Sequence, residues 1–167
     1  MEITTISPFL KYFDNVRERT MRVAGCIPPG KIDWTYVPGK FTLGDLLRHI
    51  AVTERYMFAE NAQNHDSRYT SHGPELAADY DSVIELMKRL HGESLAIFAK
   101  LSDEDLKRKC ETPGGAPMQT AKWLRAMVEH EVYHRGQLYL YLGLLGVPTP
   151  PLYGLTSEQV RAGGHTE

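Results

Sequence analysis

WLRAMVEHEVYHRGQLYLYLGLL, residues 123–145, decides the fold. Taken at every third or fourth place, it yields Trp123, Met127, His130, His134, Leu138, Tyr141 and Leu145, one stripe at helical spacing. Both histidines therefore point inward with the apolar side chains. Residues at i and i+4 stand one above the other on a helix, roughly 5–6 Å apart at Cβ, which suits two imidazoles sharing one ion. The spacing alone says little in a chain with seven histidines. Their place in an apolar stripe says more, because a polar ring brought into a core needs a partner. From this helix alone two readings stay open: half of a metal site, or core histidines bonded to backbone carbonyls, to Glu131 or to Tyr133.

Outward from this stretch, composition sets the limits. A chain of 167 residues is expected to form a single domain over residues 1–167, large enough to bury roughly two-thirds of its unfolded surface. Nineteen Lys and Arg against twenty-one Asp and Glu, with no long block of either sign, give no electrostatic reason to expect nucleic acid or an anionic membrane as partner. The basic patch Lys107–Lys109 reads as solvated surface. Cys26 and Cys110 are expected to be free thiols, since nothing marks an oxidising compartment. The amino terminus lacks a basic segment followed by a long apolar one, and the longest apolar run, Leu138–Val147, is about half of a membrane span. A cytoplasmic location is expected.

Four helices follow from the punctuation. Ser7 and Pro8 read as cap and first turn of the first, with Phe9, Phe13, Val16 and Val23 at helical spacing before Ile27-Pro28-Pro29-Gly30. A loop carrying Trp34 leads to Thr42, which with Asp45 resembles a capping box for a second helix through Leu43, Leu47, Ile50, Glu54 and Met57. His49 lies beside that stripe, with Leu46, Thr53 and Tyr56 on a related face. Residues 61–74 are polar and aperiodic, which predicts a loop with His65 and His72 at its surface. A third helix runs from Tyr80 through Leu101, and His91, near Arg89 and Glu93, reads as solvated. Leu106–Pro117 predicts a turn with a short hairpin. Thr120 reads as the cap of the fourth helix, and Gly146 with Pro148 as its stop. Four amphipathic helices indicate an all-α bundle, whose sites are commonly built from facing helices. One inward His from the second helix and two from the fourth would make a three-nitrogen site with room for water, as a reactive metal requires.

A His inside LLRHIAVTERY after a Trp-containing loop, the late HEVYHRGQL segment and the closing GLLGVPTPPLYG together resemble the DinB or YfiT-like metal-binding family. The resemblance spans nearly the whole chain. It implies an antiparallel four-helix bundle with a long second connection, and metal ligands at His49, His130 and His134. It also implies one divalent ion, zinc or nickel, and pairing as a homodimer. Some relatives are thiol-dependent transferases or isomerases using a low-molecular-weight thiol, and others resemble hydrolases.

His130-Glu131-Val132-Tyr133-His134 also matches HExxH, the zinc-protease helix in which Glu is the general base. The surroundings argue against a protease, because the extended motif needs Gly and His where Gln137 and Leu140 stand. Glu158, the conceivable third ligand, lies in a short tail after several prolines. Glu131 projects about 100° away from its neighbouring ligand, which fits a structural role better than a base. Gln137 and Arg135 are the candidate neighbours of the ligands. Tyr139, Leu140 and Leu144 form an apolar side away from the metal stripe and are the expected dimer surface, with cover by Leu152, Tyr153 and Leu155 as the alternative. The expected activity is metal-dependent thiol S-transfer to a small electrophile, the metal acting as a Lewis acid on a thiol or on water. The alternatives are a metal-dependent hydrolase and a non-catalytic, metal-stabilised binding domain.

Overall fold

The computed structural model of the chain describes residues 2–163. Its elements are α1 (Ile6–Ala24), α2 (Leu43–Thr53), a π-helical turn (Glu54–Phe58), α3 (Ala59–Ala62), α4 (Tyr80–Phe98), a 3-10 turn (Asp105–Lys107), β1 (Lys109–Cys110), β2 (Met118–Gln119), α5 (Thr120–Leu144) and α6 (Ser157–Gly163). Since α2, the π turn and α3 are continuous, four long helices form the bundle. α1 packs on α4 and α5, and α2 packs on the same two. No helix among the described residues is long and apolar enough to cross a membrane.

Local chemistry accounts for most boundaries. Thr42 Oγ1 accepts the Asp45 N–H and the Asp45 carboxylate accepts the Thr42 N–H, each at 2.9 Å, which is the expected capping box. Asp79 and Ser82 cap α4 in the same reciprocal way. α5 ends as read, on Gly146 at φ 70°, with Gly146 N donating to Gly143 O and Val147 N to Leu142 O. Those two bonds are a Schellman closure. The short hairpin is present too, pairing Lys109 with Gln119 and Cys110 with Met118.

Two caps differ from the sequence reading. α1 begins at Ile6 rather than after Ser7, and its first N–H donates to Asp103 Oδ1 at 2.9 Å, so a carboxylate from beyond α4 does the work of a local cap. Thr120 is already helical. Its N–H and hydroxyl both donate to Arg108 O, at 2.8 and 3.1 Å, fastening α5 to the hairpin.

The core comprises two apolar clusters. One gathers Val23, Leu43, Leu47, Ile50, Val83, Met87, Leu90, Leu138 and Leu142, the other Phe9, Phe13, Val16, Phe58, Phe98, Leu106, Leu124 and Met127. Each long helix crosses from one to the other through buried polar residues: Arg17 and Thr20, Thr53 and Glu54, His91 and Ser94, Glu131, His134 and Arg135. A polar belt therefore girdles the middle of the bundle. α1 and α5 meet the clusters in one order and α2 and α4 in the other, which gives their directions. Neighbours α1/α4 and α2/α5 run antiparallel, whereas α1/α5 and α2/α4 run parallel. The expected all-α four-helix bundle is present, but with this mixed arrangement in place of the fully antiparallel one that the resemblance implies, because the long connections over 25–42, 63–79 and 99–119 let consecutive helices run in the same direction.

Arg17 anchors the belt. Its guanidinium bonds both Glu131 oxygens at 3.0 Å and also the Glu54 carboxylate, while Thr20 Oγ1 donates to Glu131 at 2.6 Å. Burial works against the Arg17 charge, but Glu131 and Glu54 outweigh it and raise its pKa. His91 corrects the sequence reading: it is buried at 6% exposure, with Nδ1 3.0 Å from Glu54 and Nε2 3.3 Å from Asp14. Its place four residues after Met87 on the buried face outweighs its charged neighbours Arg89 and Glu93. Both cysteines are free thiols, as expected.

Candidate metal centre

The capping box starts α2 so that His49 faces α5, where His130 and His134 stand one turn apart. His130 Nε2 lies 3.0 Å from His49 Nε2 and 3.1 Å from His134 Nε2, and the His49 and His134 ring centroids are 4.7 Å apart. These three side chains are the one group of His, Cys, Asp or Glu among the described residues arranged to hold an ion. A tetrahedral zinc with bonds of about 2.0–2.1 Å keeps its nitrogens ~3.3 Å apart, a few tenths of an ångström wider than found.

The donor chemistry fits a cation. His134 Nδ1 lies 2.7 Å from Gln137 Oε1, and an amide oxygen accepts only, so Nδ1 carries the hydrogen and Nε2 presents its lone pair. Gln137 is itself held by donating from Nε2 to Tyr133 Oη at 3.3 Å. His130 Nε2 bears at most one hydrogen and faces two ring nitrogens, so it satisfies at most one of them, while an ion satisfies all three. Burial first, then the His134 and His72 rings, push the His49 pKa down to about 4. Burial first, then the His134 and His49 rings, push that of His130 to about 3. Burial lowers His134 as well, against the pull of its Gln137 bond. At neutral pH the trio is uncharged, the form that binds metal.

Aromatic rings enclose the imidazoles: Phe41 on His49 at 5.5 Å between centroids, Phe58 on His130 at 5.8 Å and Tyr133 on His134 at 5.0 Å. Beside His134 opens a hollow of about 310 Å³ lined by Tyr36, Lys40, Phe41, Tyr133, Gln137 and Tyr141. A larger hollow of about 830 Å³ between α1 and α4 is reached by Arg17 and His91 but by none of the converging histidines. The small hollow meets the donor set at His134.

Of the two candidate neighbours, Gln137 and Arg135, Arg135 faces elsewhere, and Glu131 takes the structural place that helical geometry gives it. Arg135 turns to α1, donating to Val16 O at 3.1 Å and Tyr153 Oη at 3.3 Å, and does not join the histidines. Glu131 faces the same way and is held by Arg17 and Thr20, which leaves no free carboxylate for the base of a HExxH protease. Each directly follows one of the two histidines of α5 and is thus rotated about 100° from it. His65 is exposed, as expected. His72 is a correction: it is half-buried, with Nδ1 2.8 Å from Tyr69 Oη, and that oxygen is 3.2 Å from His49 Nδ1. A polar aperiodic loop gives no periodicity from which His72 and Tyr69 could have been placed.

The comparisons with known proteins agree with this architecture. A relative in Bacillus subtilis (strain 168), the uncharacterized protein YjoA, is 24% identical over 153 residues, covering 89% of this chain and 93% of its own. Among solved structures, a DinB-like protein from Bacillus cereus superposes with a TM-score of 0.78 at 20% identity, covering 90% of this chain and 99% of its own. YfiT from Bacillus subtilis, described as a probable metal-dependent hydrolase with an unusual four-helix bundle topology, gives 0.64 at 18% identity, with 81% and 86% covered. A mycothiol-dependent maleylpyruvate isomerase gives 0.63 at 14% identity, with 80% of this chain and 60% of its own covered. The sequence profile of the DinB superfamily matches residues 12–138, most of the chain. With its four-helix bundle and three-histidine centre, this chain belongs to the DinB superfamily.

Proposed function

We propose that the chain is a metal-dependent enzyme of the thiol S-transferase type, binding one divalent ion, zinc or nickel, through His49, His130 and His134. The observation that carries the reading is the convergence of three Nε2 atoms beside a hollow sized for a small molecule. A divalent ion there supplies Lewis acidity, which favours the deprotonated form of a thiol or of water. The chain's own residues do the rest. Gln137 fixes the tautomer of His134, Phe41 and Phe58 exclude water from two of the rings, and Tyr36, Tyr133 and Tyr141 give the hollow apolar walls. In the transfer itself, a low-molecular-weight thiol loses its proton, its sulfur bonds the electrophilic carbon of a small substrate, and the group it displaces leaves with the pair of the broken carbon bond and takes up that proton.

The thiol dependence of the isomerase neighbour supports this reading, and the description of YfiT supports hydrolysis as the second one. Neither cysteine is placed to serve as nucleophile: Cys110 is buried in the apolar cluster of Phe98 and Leu106, and Cys26 packs against the cluster around Leu47.

The test has two stages. Elemental analysis of untagged protein should return about one ion per chain, and His49→Ala, His130→Ala and His134→Ala should each lose it while staying helical by circular dichroism. Metal-loaded and metal-free protein are then compared on small electrophiles with several cellular thiols, and with water alone. Metal-dependent turnover with a thiol is expected. Turnover with water alone moves the assignment to hydrolase, and inertness throughout leaves a metal-stabilised binding domain. Full metal retention in His130→Ala would sink the ligand set.

A further inference from the structure

We infer that the connection over residues 63–79 is part of the metal centre: Tyr69 and His72, held by Arg48, orient His49 and tie ion binding to the order of that connection. The inference rests on the three-histidine reading above.

The geometry starts from one hydrogen. Tyr69 Oη lies 2.8 Å from His72 Nδ1 and 3.2 Å from His49 Nδ1, and a phenol has a single proton to donate. Donated to His72, it leaves the phenol oxygen to accept Nδ1–H of His49, with Thr53 Oγ1 at 3.3 Å as a further partner. His49 Nε2 is then a bare lone pair facing His130. Donated the other way, it would put the His49 hydrogen on Nε2, pointing into the donor set and blocking coordination. His72 thus selects the binding-competent tautomer of a ligand that it does not itself touch through a hydrogen bond. Gln137 does the same for His134, so two of the three ligands are oriented from behind.

The connection is pinned on both sides of Tyr69. Arg48, 1% exposed, donates from Nε to His72 O at 2.9 Å and from Nη1 to Ala77 O at 2.7 Å. Its Nη2 bonds Asp45 Oδ1 at 2.8 Å, the same carboxylate that closes the α2 cap. Upstream, Tyr56 O in the π turn accepts Arg68 N–H at 2.7 Å and the Ser67 hydroxyl at 3.3 Å. Phe41 packs on the His72 ring at 4.3 Å between centroids. A buried guanidinium is costly unless its donors are used, and here two of the three bonds go to carbonyls of this connection. Because His49 holds the connection through Tyr69, an ion that fixes His49 also holds the connection, and by reciprocity the connection strengthens ion binding.

The experiment uses the full chain and zinc. Competition against a chromophoric chelator should show the apparent zinc Kd rising about 10–100-fold in Tyr69→Phe, the usual cost of losing the partner behind a metal-bound imidazole. His72→Ala should show a similar rise, and His72→Asn, which returns an acceptor to the phenol, should recover part of it. Hydrogen exchange should show amides 66–78 gaining protection on zinc addition in the wild type and much less in Tyr69→Phe. Tyr69→Phe keeps the ring in place, and if it nonetheless fails to fold, the half-buried His72 variants carry the test. Wild-type zinc affinity in both Tyr69→Phe and His72→Ala, with exchange over 66–78 indifferent to zinc, overturns the inference alone. A wild type that takes up neither zinc nor nickel overturns the metal reading itself.

Discussion

Arg17 places a full positive charge in the middle of the bundle on a side chain only 4% exposed, facing Glu54 and Glu131 that are 3% exposed each. Removing one partner from a buried charge network strands the others, at a typical cost of about 3–5 kcal/mol. Arg17→Met is therefore expected to lower stability by that amount, read from urea unfolding at neutral pH; a loss below about 1 kcal/mol would show the network to be stabilisingly neutral. Glu131→Gln separates the two roles that HExxH suggests. The residue bonds α1 and not the histidines, so the variant should keep its full metal content by elemental analysis while losing stability. The rotation of Glu131 away from His130 and His134 was legible in the sequence from helical geometry alone. Its partners Arg17 and Thr20, distant along the chain, were not.

At the scale of elements, stops were easier to read than starts. Gly146 ends α5 at φ 70°, in the left-handed region where a Cβ costs roughly 1–2 kcal/mol. Gly146→Ala meets no neighbouring atom, so its expected destabilisation of that size, measured by thermal unfolding, would come from the backbone alone. The cap of α2 was equally legible, since Thr42 and Asp45 are three residues apart. The start of α1 was not, because its cap is Asp103. The π turn over Glu54–Phe58 was also missed. It directs Glu54 toward Arg17 and His91 while Phe58 meets Trp123 at 4.5 Å, and no local signal in ERYMF distinguishes it from plain α-helix. Such turns recur at functional sites, and this one presents the Tyr56 carbonyl to the connection that carries Tyr69.

For the molecule as a whole, three imidazoles with depressed pKa values couple stability to pH. Unfolded histidine titrates near 6.5, whereas burial and then the neighbouring rings push His49 down to about 4 and His130 down to about 3 in the folded chain. Below pH 6.5 the unfolded state thus binds protons that the folded state refuses, so stability is complete above that pH and falls as pH drops. The metal-free protein should show a urea midpoint that declines from pH 7 to pH 5, a window in which carboxylates stay ionised; a flat profile there would contradict the neutral-trio picture. Assembly is the second whole-molecule expectation. Leu140 and Leu144 are 62% and 59% exposed on α5, while Tyr139 is half-buried with its hydroxyl bonded to Pro150 O, so the apolar surface left open is narrower than the sequence indicates. We expect a homodimer through those leucines, seen as twice the chain mass in light scattering at micromolar concentration and lost in Leu140→Lys.

The sequence by itself determined the four helices, their apolar stripes and the inward facing of His130 and His134, because these follow from a 3.6-residue period and from caps a few residues long. It pointed to His49 less directly, because that residue lies beside the second stripe rather than in it, and the resemblance added weight to it. Only the tertiary structure decided what lies between elements: the parallel and antiparallel pairing of the helices, the polar belt in which Arg17, Glu54, His91 and Glu131 satisfy one another, and the turning of Arg135 to α1. It alone brought Tyr69 and His72 behind His49, twenty residues or more away. The physical reason is the same in each case. A side chain's neighbours on its own helix are fixed by local backbone geometry, but the partner of a buried charge or imidazole is whichever complementary group the packing of two clusters brings within hydrogen-bond reach.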